Sequence, residues 1–168
     1  HDQKDYAVCF GVEPEIWQKA EDNQYVPETS LTETEIRMPG GHLTIAQLIA
    51  LLNTIPMEIT FVDVDNINRF FNEGPKDFKR PGMAIDREVF SCHPPKIEAT
   101  VRRIIGEFRA GALDEVPIWM DKNGKCMLVR YMAVRDKEGK YLGTLELVQD
   151  MGFAKEHFQP EKRQEEIW

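Results

Sequence analysis

At 168 residues and 19.5 kDa the chain has the length of one ordinary domain with extensions, which leaves no room for a second full domain. Its 42% hydrophobic and 30% charged residues exclude wholesale disorder, because that much apolar side chain can bury a core against the chain entropy. A net charge of -8 repels phosphate backbones, so nucleic acid is not an expected partner.

No apolar run reaches the roughly 18–20 residues that cross a bilayer, and the first ten residues are too polar for a signal peptide; the expectation is a cytoplasmic protein without a membrane partner. His1 in place of Met marks a processed chain or a piece of a longer one. Cys9, Cys92 and Cys126 are odd in number and form no C-x-x-C pair, which fits a reducing compartment better than a disulfide framework or a zinc knuckle.

Residues 1–39 are acidic and lack sustained periodicity, so they read as an extension of the domain that follows, 40–151. Thr44 can cap a helix in which Ile45, Leu48, Ile49, Leu51, Leu52 and Ile55 cover one broad face, and Pro56 ends it. The string EITFVD at Glu58–Asp63 predicts a strand, the turn residues Asp65 and Asn66 follow, and 67–72 pairs back as a hairpin.

The stretch 73–91, with Gly74, Pro75, Pro81 and Gly82, predicts loops carrying one or two helical turns. Pro94 and Pro95 suit the first turn of a helix that continues through Ile97, Val101, Ile104, Ile105 and Phe108 to a cap at Gly111. Strands at 115–120, 125–135 and 141–149 come next, the first two joined by the hairpin signal Asn123-Gly124. The tail 152–168 is polar, with a short helix expected at 161–167.

Two strands, a helical crossover and a three-strand meander close into one antiparallel sheet, with the crossover over one face and a natural pocket between. The strings ITFVD, INRFFNEG and VRDKEGKYLGTLELVQDM, in this order of elements, resemble the PAS domain family. Within it the chain is most similar to the PAS domain at the C-terminal end of bacterial and archaeal proteins with an upstream hemerythrin-like (HHE) domain. That resemblance rests on Leu43-Thr44, Leu52-Asn53, Phe71-Asn72, Arg87, the run from Cys92 to Pro95, and Tyr131 to Arg135. It departs from the family at Asp86, where Gly is usual, and at Asp150-Met151-Gly152, where many members have Asp-Ile-Thr.

The resemblance implies an α+β PAS fold with a five-stranded antiparallel sheet in the order 2-1-5-4-3, helices on one face, and a sensory role without catalysis. No nucleophile-and-base pair, phosphate-binding loop or HExxH spacing argues for an enzyme. The expected function is therefore a sensor that holds a small ligand or cofactor between crossover helix and sheet, or alternatively a ligand-free module that forms a homodimer.

Some PAS domains hold heme through a histidine on the crossover helix, and His93 stands where it could supply an axial imidazole to iron. The competing reading gives His93 a backbone hydrogen bond at the start of that helix. Cys92, beside the helix N-terminus, is a redox thiol or a buried inert one. Ile97, Val101, Phe61, Met127, Tyr131 and Leu145 are the expected pocket lining, with plain core as the alternative for each. Arg130 and Arg135 read as solvated sheet-face residues within reach of an acidic ligand or Glu146.

Overall fold

The computed structural model describes residues 33–74, 77, 84–92 and 95–159. In chain order these form β1 (Glu35–Met38), β2 (Gly41–Thr44), α1 (Ile45–Thr54), β3 (Glu58–Asp63), β4 (Asn68–Phe71) and a 3-10 turn (Val89–Cys92). Then come α2 (Pro95–Arg109), β5 (Glu115–Lys122), β6 (Lys125–Arg135), β7 (Tyr141–Asp150) and α3 (Gly152–His157).

Local chemistry explains where each element starts and stops. The Thr44 hydroxyl accepts from the Gln47 N–H at 3.1 Å while the Gln47 side chain accepts from the Thr44 N–H at 3.0 Å, a reciprocal box that opens α1. Asp63 accepts from the N–H groups of Asp65 and Ile67 at 2.8 and 3.1 Å, and Asn66 takes a φ of 65°, so β3 turns sharply into β4. Asn123 and Gly124, with φ of 52° and 78°, make the two-residue turn that sets Lys122 opposite Lys125.

The five-stranded sheet runs β4-β3-β7-β6-β5, antiparallel throughout. Numbered among themselves in chain order, these strands read 2-1-5-4-3, the arrangement that the resemblance implies. Helix α2 crosses one face. Ile104 and Phe108 bury against Tyr141, with Val116, Tyr131 and Ala133 packed around them.

The C-terminal end of α2 is fixed by two arginines. Arg135 donates to the carbonyl of Phe108 in the last turn at 2.7 Å and to that of Leu113 in the loop that follows at 3.2 Å, tying the helix end to β6. Arg109 donates to the Val64 carbonyl at 2.8 Å and to Asn66 Oδ1 at 3.1 Å, tying the helix to the β3–β4 turn.

Three local features depart from expectation. The β1–β2 hairpin crosses the boundary drawn at residue 39; its strands are four residues each, too short for alternation to register, and Pro39-Gly40 supplies its turn. Helix α3 begins at Gly152, in the tail whose sequence predicts a helix only at 161–167, and that expected helix lies outside the described residues. Ile67 stands just before β4 and makes an isolated bridge to Glu88. Asp86, where the family has glycine, adopts a φ of 63°, the left-handed conformation that glycine reaches without strain.

Asp86 is also one half of a fork. Arg69 binds Asp63 and Asp86 at 2.6 Å each, joining β3, β4 and the segment before the 3-10 turn. Burial acts to raise the Asp63 carboxyl, but the Arg69 side chain and the backbone N–H groups of Ile67 and Asp65 outweigh it and hold the carboxyl below its usual range. Glu115 is lowered in the same sense by its bond from Arg130. A carboxyl depressed in the folded state adds stability above its unfolded pKa and loses it as pH falls through the folded value. Urea midpoints should therefore fall on acidification below about pH 4. Asp63→Asn should flatten that acid limb, and an unchanged limb would remove Asp63 from the account.

Candidate functional site

Register decides which side chains face α2. Tyr131 packs on the α2 cluster, and Tyr131 pairs with Glu146, which pairs with Thr60, which pairs with Phe71; on the other side Tyr131 pairs with Val116. One row therefore crosses all five strands: Phe71, Thr60, Glu146, Tyr131, Val116. Its centre is a hydroxyl, a carboxylate and a phenol. The next row toward α3 is Glu58, Val148, Val129 and Ile118, and the row on the other side is Val62, Thr144 and Ala133.

This floor is unusually polar for the inside of a small domain. Glu58, Thr60 and Thr144 are buried, and Glu146 and Tyr131 are half-buried. Burying such groups costs stability unless each has a partner, and none is without one: Tyr141 Oη lies 2.7 Å from Thr144 Oγ1, and Glu58, Thr60, Glu146 and Tyr131 each have an interacting partner. The apolar part of the same face is the cluster of Met127, Val129 and Val148.

The structure divides the expected pocket residues. Met127 and Tyr131 lie on the face toward α2. Ile97 and Val101 are half-buried in the N-terminal half of α2, whereas the buried residues Ile104, Ile105 and Phe108 all lie in its second half. Phe61 and Leu145 are direct cross-strand partners, one residue out of step with Thr60 and Glu146, and so belong to the opposite face of the sheet. Expecting them in the pocket is corrected by this parity. Cys92 ends the 3-10 turn, and His93 lies outside the described residues.

Arg130 pairs with Glu115 at 2.6 Å and Arg135 with Asp114 at 3.1 Å, so neither reaches for Glu146. Among the described residues, no group of three or more His, Cys, Asp or Glu side chains is placed to hold a metal ion. The central rows of the described floor set Glu58, Thr60, Glu146 and Tyr131 beneath α2, an acidic and hydroxyl-bearing surface.

A groove of about 290 Å³ opens at one end of the sheet, lined by the last turn of α1, by Met57 and Glu58, by Glu73 and Asp77, and by Val148 and Asp150. Lys125 bonds Asp77 at 2.7 Å across its rim. That bond first, and then the charges of Asp77, Asp150 and Glu58, raise the lysine above its ordinary value.

The opposite face of the sheet sets Ile59 beside Leu147 and Phe61 beside Leu145 and Met132, with Arg130 and Gln149 among them. Trp119 stands beside Leu128 at its edge, 66% exposed. No described helix is long and apolar enough to cross a membrane.

A family profile described as a PAS domain matches residues 48–152. A crystal structure of a C-terminal domain from Streptococcus mutans is similar at 37% identity and a TM-score of 0.71, over 74% of this chain and 98% of that one. A PAS domain from Colwellia psychrerythraea is more distant, at 15% identity and a TM-score of 0.45 over 63% and 95% of the two chains. So is a sensory box sensor histidine kinase from Vibrio cholerae, at 12% identity and 0.43 over 61% and 88%. No match was found among curated proteins. The fold defines an antiparallel α+β domain with a crossover helix over a partly polar sheet. The chain belongs to the PAS domain family.

Proposed function

We propose that this PAS domain is a non-catalytic sensory module that takes a small ligand against the row Thr60, Glu146 and Tyr131 beneath α2. The single observation behind this reading is that row itself: a carboxylate between two hydroxyls at the middle of the face where a core would otherwise be apolar. Such a floor favours a molecule that brings hydrogen-bond donors or a positive charge, which would exchange with the partners that these side chains have in the free chain. Ligand binding would bias the equilibrium between two packings of α2 and the flanking helices α1 and α3. In the same reading, the upstream hemerythrin-like domain that the resemblance implies would be a neighbour to this module.

A second reading is a ligand-free homodimer, favoured by α1. That helix contains no charged residue and no fully buried one, with Ile49 and Leu51 exposed at 44% and 47% in a chain of net charge -8. Uncharged aliphatic surface is where two acidic copies would meet with least repulsion.

Purified protein, examined by absorption, by mass spectrometry of the released small molecules and by light scattering, tests both. The sensory reading expects a colourless protein that releases a donor-rich molecule, with occupancy falling about tenfold or more in Glu146→Gln, the cost of one charged hydrogen bond. A Soret band lost in His93→Ala would establish heme instead. Dimers that carry no small molecule, and are unaffected by Glu146→Gln, would replace the first reading with the second.

A further inference from the structure

Hydrogen bonds hold α1 at its two ends. None of its ten residues is buried, and its start is held to the hairpin side by the Ile45 N–H donating to the Thr34 carbonyl at 2.9 Å. Its last turn is held by Asn72. This side chain belongs to a residue only 3% exposed, and its amide bonds three separate segments. Oδ1 accepts from the Ile59 N–H at 2.8 Å, while Nδ2 donates to the carbonyls of Leu52 at 3.1 Å and Met57 at 2.8 Å. Leu52 is among the last four residues of α1, whose carbonyls have no partner within the helix.

Asn72 directly follows Phe71, the residue at the β4 end of the polar row, and its backbone N–H donates to the Ile59 carbonyl at 3.1 Å. One amide therefore grips β3 with its oxygen and the end of α1 with its nitrogen, one residue from the floor of the site. A second link lies beside it: the Glu73 N–H donates to Asn53 Oδ1 at 2.9 Å, and Asn53 Nδ2 to Glu73 Oε2 at 3.3 Å.

We propose that Asn72 is the positioning residue that couples the inner face of the sheet to α1, so that a change at Thr60 or Glu146 reaches the helix through this amide. The proposal rests on the sensory reading above, and it names the element of the fold through which the signal leaves the site. Serine at this position is too short to span the three segments. Aspartate keeps the acceptor for Ile59 and loses both donors toward α1.

Amide resonances of the full chain give the test, with Glu146→Gln as the perturbation at the floor. In the Asn72 background Glu146→Gln should shift the resonances of residues 50–54; in Asn72→Ser and Asn72→Asp that response should vanish, and hydrogen exchange over the same residues should quicken about tenfold or more. A purely structural asparagine would lower stability without cutting the response.

A response in α1 that persists in both Asn72 variants, or one that never appears with Asn72 intact, overturns the proposal. Should neither variant fold, Asn53→Ala takes their place. It removes only the neighbouring link and should leave the response in force, whereas its loss there would move the coupling to Asn53 and Glu73. Failure of the sensory reading looks different: no small molecule is released by the protein, yet α1 still answers to Glu146→Gln.

Discussion

Truncating Phe108 to alanine is expected to cost about 3–5 kcal/mol, as large-to-small changes of fully buried phenylalanines do. Phe108 is 0% exposed and sits under α2 among Ile104, Tyr141, Val116, Tyr131 and Ala133. Arg109 and Arg135 pin the C-terminal end of the helix at this point, so it cannot readily sink to fill the void, and the cavity term should be large. With a urea slope of about 2 kcal/mol/M, the midpoint should fall by on the order of 2 M. Against a total stability of about 5–15 kcal/mol, that leaves a domain close to unfolding. A midpoint shift of a few tenths of a molar would mean that the crossover helix is not seated as described.

Alanine at Gly143 should be nearly as damaging, for the opposite reason. Gly143 pairs with both Asp63 and Val134 near the start of β7, at a φ of 158° that side chains rarely adopt. An added Cβ would collide with the backbone carbonyl oxygen of Val62 and lie 2.7 and 2.8 Å from two ring carbons of Phe61. The Phe61 ring can turn away, but the Val62 carbonyl belongs to the sheet ladder. Separating β3 from β7 here should cost about 2–4 kcal/mol, the range of overpacking with backbone strain. Circular dichroism melts of Gly143→Ala and Gly139→Ala make the comparison. Gly139 also has a positive φ but open space around its Cα, so it should suffer only the strain. Equal losses at the two sites would show that crowding is not the cause.

These two residues also mark what the sequence could and could not disclose. Phe108 was legible, because α2 repeats its apolar residues at helical spacing between a proline and a glycine. The strands were legible as strands, and their order was what the resemblance to PAS domains implies. Their faces were less so. In ITFVD and TLELVQ both parities carry apolar side chains, and Phe61 and Leu145 are the larger ones, so size pointed to the wrong side. Both faces of the sheet carry apolar side chains, and the one beneath the crossover is the face that also holds Thr60 and Glu146. A polar residue inside a strand, flanked by apolar neighbours, was the available signal.

Asn72 was quoted as part of a family pattern, but nothing in its spacing announces a hydrogen-bonded hub, because its three partners are backbone groups that any sequence has. The β1–β2 hairpin was missed for a related reason. Its alternation lasts only four residues per strand, and Pro39-Gly40 was the one punctuation mark on offer. The Asp86 departure from glycine was visible, but its meaning, a left-handed backbone position kept by an aspartate that also binds Arg69, needed coordinates.

The bonds from Asn72 to Leu52 and Met57 end on main-chain oxygens, which no change of side chain at those two positions removes. Exposed side chains of α1 such as Ile49 and Leu51 take no part in that fastening, whereas Gln47 at the cap and Asn53 beside Glu73 do. A new surface can therefore be written on those exposed positions without touching the bonds that set where the helix leaves the sheet.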